Sequence, residues 1–136
     1  MIHALGRNEK LRPVTTMNEQ SILQSVKHKL GGIVEEETYF DPDLIDYINS
    51  AFFKLWQLGV GPSEPIKIAD ESAMWDEYDF NDIETVKEWV YLDVRKIFDP
   101  PANGSVMQAM NDRAAEDEFR MMIGAEEMRD GKYSSE

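Results

Sequence analysis

The chain has 136 residues, the size of one ordinary domain, and its formal charge is −13 at pH 7. It has no cysteine and only two histidines, His3 and His28, so disulfides, thiolate metal sites and cysteine nucleophiles are excluded. Residues 1–30 hold five Lys/Arg against two Asp/Glu, whereas the remainder holds nine against twenty-five, so the body repels a phosphate backbone and is a poor direct nucleic-acid binder. The first twenty residues show no sustained period, and Pro13 followed by Val14, Thr15 and Thr16 favours extended backbone. This segment reads as an arm, extended or disordered by itself, whose Arg7, Lys10 and Arg12 suit an acidic neighbour.

Ser21 with Gln24 matches a capping box, and Ile22, Leu23, Val26 and Leu30 give a short helix an apolar face that ends at Gly31 and Gly32. Lys27, His28 and Lys29 in its last turn complement the helix dipole, which explains His28 without a ligand. Glu35, Glu36 and Glu37 form a polar connection to Tyr39 and Phe40. Asp41, Pro42 and Asp43 then specify the start of the strongest helix, with Asp41 as cap and Pro42 at its first position. Leu44, Ile48, Phe52, Leu55 and Trp56 recur at helical spacing, and Tyr47, Phe53 and Leu58 widen the apolar surface, so this helix is expected at the centre of the fold. Gly59, Val60 and Pro62 close it.

The connection from Gly61 to Asp82 is too long and too acidic for a simple turn. Ile66 and Ile68 alternate with Lys67, and Met74 with Trp75 fits the return of a short β-hairpin. Residues 70–84 hold seven carboxylates, among them Asp70, Glu71, Asp76, Glu77 and Asp79, but no register meets the pattern of a calcium loop. A solvated or partner-facing loop is the expectation. Asn81 or Asp82 caps the next helix, in which Ile83, Val86, Trp89, Val90 and Val94 share a face until Pro100 and Pro101 end it. Asn103, Gly104 or Ser105 opens a last helix whose apolar side carries Met107, Met110, Ala114, Met121 and Met122 and is interrupted by Asp117. Methionine surfaces adapt to several packings, so this side suits either a neighbouring subunit or ordinary core packing. After Gly124 the chain turns polar and is expected to fray.

The sum is an all-α domain: a small bundle of about four helices with a long acidic loop between the second and third main helices, spanning residues 21–123 between an arm (1–20) and a polar tail (124–136). Trp56, Trp75 and Trp89 are expected to meet near its middle, where truncating a buried Trp56 or Trp89 costs ~3–5 kcal/mol. No apolar run approaches the ~18 residues of a membrane span, and the N-terminal residues lack the apolar block of a secretion signal, so a soluble intracellular protein is expected. No phosphate-binding glycine loop, nucleophile elbow or HExxH pattern is present, and Asp41 and Asp43 are occupied at a helix start; neither enzyme chemistry nor a cofactor is expected.

The blocks FDPDLIDYINSAFFKLWQLGVGP, AMWDEYDFNDIETVKEWVYLDVRKIFDPP and NGSVMQAMNDRAAEDEFR, in that order after SILQSVKHKLG, resemble the head-tail connector proteins of long-tailed bacteriophages, also called head-completion or adaptor proteins. The resemblance covers about residues 20–122 and rests on joint occurrence and order, since none of the blocks is a catalytic signature. It implies a virion protein of the neck, assembled in the host cytoplasm. Its copies, usually twelve, form a ring beneath the portal protein, extend the DNA channel and present a docking surface to a stopper or tail-side connector. DNA would pass without specific binding, because copies each carrying −13 repel it. Interface candidates are Arg7 and Arg12 of the arm, Asp70, Glu71, Asp76, Glu77 and Asp79 of the loop, and Met107, Met110, Met121 and Met122 of the last helix. A competing reading is an acidic DNA mimic that inhibits a nucleic-acid-binding protein, and a third is a small regulatory helical domain.

Overall fold

The computed structural model describes residues 20–33 and 35–134, which form four helices and no strand. Helix α1 spans Ile22–Leu30, α2 Asp41–Gln57, α3 Ile83–Phe98 and α4 Gly104–Ser134, with a single turn of 3-10 helix at Trp75–Glu77. The architecture is an all-α bundle. Arg7 and Arg12 lie outside the described residues.

Short polar side chains start three of the helices by meeting otherwise unpaired N–H groups. Ser21 Oγ accepts from Gln24 N at 3.2 Å, Asp82 accepts from Thr85 N and Thr85 Oγ1, and Asn103 Oδ1 accepts from Ser105 N at 2.7 Å. The box expected at Ser21 is half formed, because the Gln24 side chain donates to Glu71 instead of returning to the cap. Helix α2 starts differently from the expectation. Phe40 occupies the cap position without a side-chain cap bond, Asp41 is already helical, and its carboxylate pairs with Lys27. The end of α2 is a Schellman motif: Val60 N donates to Leu55 O, Gly59 N donates to Trp56 O, and Gly59 adopts φ +79°, where a side chain would be strained.

The hub of the bundle is α3, which packs against each of the other three helices. This corrects the expectation that α2 is central. Helix α2 buries Leu44, Ile48, Ala51, Phe52 and Leu55, but Phe53 and Trp56 point outward, and Trp56 is 40 % exposed. Trp56 is therefore not a core residue; its indole N–H donates to Ser63 O at 2.9 Å and pins the chain that follows α2. Helix α3 buries Thr85, Val86, Trp89, Val90, Leu92, Asp93 and Val94, a wider arc than one stripe, with Ile83 half-buried at its start. Apolar width misplaced the centre because large aromatics on α2 face solvent while polar Thr85 and Asp93 on α3 are enclosed. Asp93 is matched there by Lys54 of α2, whose ammonium donates to both carboxylate oxygens at 3.0 and 3.1 Å.

The expected hairpin is absent. Ile66, Ile68 and Trp75 of the long loop are buried, but the backbone of Ile68 is paired by a side chain: its N–H donates to Asn49 Oδ1 at 2.8 Å and its carbonyl accepts from Asn49 Nδ2 at 3.0 Å. With those groups satisfied, no second strand is needed. The three tryptophans do not cluster either. Trp75 stacks edge-on to Phe52 at 5.8 Å between centroids and donates to Ser25 Oγ, whereas Trp89 donates to Glu118 of α4.

Candidate functional site

Among the described residues the bundle leaves several charged and apolar surfaces open. The first is the acidic loop, whose course is fixed from beneath by Ile66, Ile68 and Trp75 in the core. Its acids divide into two groups. Asp70 accepts from Ser72 N and Oγ, which holds its carboxyl below the usual range. Glu71 accepts from Gln24 Nε2 at 2.8 Å through its side chain and from Ser21 Oγ at 2.8 Å through its carbonyl, and Glu77 Oε1 accepts from Met74 N at 2.7 Å. These three acids shape the loop. Glu64, Asp76 and Asp79 are exposed on it, a rigidly presented negative surface.

Helix α4 has two unlike faces. Met110, Ala114, Asp117, Met121 and Gly124, spaced by four and three, form the inner stripe against α3. Of the two roles the methionine pattern left open, Met110 and Met121 take core packing and are not exposed contact residues in this chain. The outer face presents Phe119, 67 % exposed, with Met122 and Ile123, an apolar patch one helical turn long. Met107 is half-buried near the start of the helix. Phe119 was missed in the sequence because it lies between the charged Glu118 and Arg120, and Ile123 because it falls outside the register of the inner stripe. Phe53 and Trp56 of α2, with ring centroids 5.5 Å apart, make a second exposed apolar pair. Helix α4 continues to Ser134, well past Gly124, where the change in composition had suggested fraying.

A buried acidic group sits inside the contact between α3 and α4. Asp117 is 1 % exposed, and its Oδ2 has no hydrogen-bond donor among the described residues. Glu88 of α3 faces it within hydrogen-bonding reach, and Arg113 Nε donates to Glu88 Oε1 at 2.8 Å. Burial, then the hydrogen bond with Glu88 and the charge of Glu88, push the Asp117 carboxyl up to about 7. Burial works against the charge on Glu88 as well, but the hydrogen bonds from Asp117 and Arg113 outweigh it and hold Glu88 below the usual range.

An open groove of about 570 Å³ lies between the start of α1, the connection before α2 and the loop, lined by Ser21, Gln24, Glu35, Glu36, Glu71 and Ser72 among others. Its lining among the described residues includes no histidine and no lysine. Among the described residues no group of three acids or histidines is placed to hold a metal ion, and no helix is long and apolar enough to cross a membrane.

The chain belongs to the phage connector protein family, whose model matches residues 22–128 and so covers the bundle from the start of α1 into α4. That family is a structural one, and a connector role in the virion at the junction of head and tail follows from it. No curated protein and no solved structure matches the chain.

Proposed function

We propose that copies of this protein assemble as a ring beneath the portal protein at the capsid vertex, extend the DNA channel and offer a docking surface to the next stopper or tail-side protein. The observation that carries this reading is the family match over residues 22–128, joined to a loop that holds its acids outward from a fixed base. A surface of that sign lining a channel lets DNA slide, since it repels phosphate and offers no counterions for exchange. The basic arm with Arg7 and Arg12 would lie on an acidic neighbour, the outer face of α4 would supply apolar contact to a copy or to the portal, and twelve copies would match a twelve-fold portal. The site of action would be the neck of the virion, reached from the host cytoplasm.

Reversing charge at Glu64, Asp76 and Asp79 together tests the loop. None of the three supplies a hydrogen bond that shapes the fold, so folding stability should move by no more than ~0.5 kcal/mol per position. Ring formation on purified portal, followed by sedimentation, should weaken at least several-fold. Assembly at wild-type strength would remove the loop from the contacts and the channel.

A further inference from the structure

The long last helix is held to the hub through a contact that contains an enclosed carboxyl group, Asp117, whose Oδ2 has no donor among the described residues. We propose that Asp117 and Glu88 form a proton-operated latch that fastens α4 to α3, closed while the pair holds one proton and loosened when it holds none.

The geometry requires a proton. Asp117 lies in the middle of the inner stripe, enclosed by α3, and the group opposite it is another carboxyl. Two carboxylates facing each other repel, the more so because Asp117 is enclosed, whereas one protonated partner donates to the other and removes both the repulsion and the unpaired oxygen. The charges around the pair decide which carboxyl keeps the proton. Glu88 receives Arg113 directly and Lys29 of α1 at longer range, so it stays ionised. Arg113 and Arg120, both on α4 itself, act on Asp117 only through space, and burial outweighs them. Glu118, the next acid on α4, is engaged by the Trp89 indole N–H, and Asn81 at the end of the stripe does not titrate.

The sign follows from linkage. Asp117 takes up its proton near 3.8 when undocked and near 7 when docked, so docking is favoured at low pH and loses strength as pH rises from about 4 through about 7. Glu88 acts in the opposite sense, its contribution fading in acid below its ordinary value of 4.5. The latch is tightest where Asp117 is protonated and Glu88 ionised. At neutral pH Asp117 is about half protonated and most of the proton-linked hold has been lost, so the outer patch with Phe119 and Ile123 is presented from a helix whose hold on the bundle responds to proton supply or to a neighbouring charge.

Hydrogen exchange on the full chain tests this, with rates corrected for the intrinsic effect of pH. Between pH 5.5 and 8.0 the amides of residues 108–125 should lose on the order of tenfold protection relative to those of α3. Asp117→Asn, whose amide donates to Glu88 without titrating, should keep the ratio within threefold at both values. Glu88→Gln, which removes the like charge, should also flatten the dependence and decides the matter if the first variant folds poorly. An unchanged ratio in the wild type, or a wild-type dependence surviving in both variants, overturns the latch and leaves the connector reading untouched.

Discussion

Truncating Phe52 to alanine should lower stability by about 3–5 kcal/mol, a large part of the ~5–15 kcal/mol available to a domain of this size. Phe52 is fully enclosed in α2 and meets Trp75 edge-to-face, so its ring joins the helix to the long loop. The loss therefore combines transfer of a large apolar side chain with a cavity between two elements that cannot both collapse into it. Urea unfolding should show a lower midpoint at unchanged slope. Trp56→Ala is the internal comparison: with its ring partly in solvent and one hydrogen bond to Ser63, it should cost only ~1 kcal/mol. Equal costs at the two positions would mean that Trp75 does not seat the loop on the core.

The second large effect is expected at a charged residue. Lys27→Met keeps the volume of the side chain and removes its donors, and should cost about 3 kcal/mol. The Lys27 side chain is 1 % exposed, and its ammonium donates to Glu37 O at 2.6 Å and Glu35 O at 3.1 Å while pairing with Asp41 Oδ1 at 3.0 Å. One cation thus ties the connection after α1 to the first turn of α2, and its loss leaves two carbonyls without their donor and the Asp41 carboxylate without its counter-charge. Adding Asp41→Asn should restore part of the loss, and a double-mutant cycle by urea unfolding measures the coupling. Additive effects would show that the two side chains stabilise the junction independently.

Lys27 and Asp117 also mark where sequence reasoning stops. Helix class and number, and the limits of α3, were legible because apolar residues recur at 3.6-residue spacing between strong punctuation such as Asp82 and Pro100, whereas the cap of α2 and the end of α4 were not. Spacing assigns a face but not a depth. Lys27, Asp93 and Asp117 are each enclosed, a depth that charge and spacing do not reveal, and their partners Asp41, Lys54 and Glu88 come from other helices where no local pattern could point to them. The reverse error placed Trp56 in the core: a periodic stripe extended one residue too far includes a side chain that rotates out of it. The hairpin failed for a related reason, since alternation at Ile66 and Ile68 reports burial on one side and is silent about whether a strand or the Asn49 amide pairs the backbone.

The open surfaces were legible only in part. Composition located the acidic loop, but which acids are free depended on local hydrogen bonds from Ser72 and Met74 and on one from Gln24 that reaches the loop from α1. Methionine content drew attention to α4, and the structure turns Met110 and Met121 inward while Phe119, Met122 and Ile123 face out. A helix packed on one side only has a single buried stripe, and its phase is fixed by the partner helix, not by its own residues.

Electron micrographs of purified portal rings mixed with the protein address the central claim most directly. An added annulus of density on one face of the portal, coaxial with the channel and sharing its rotational symmetry, is the expected result. Portal particles that look the same with and without a molar excess of the protein would contradict it.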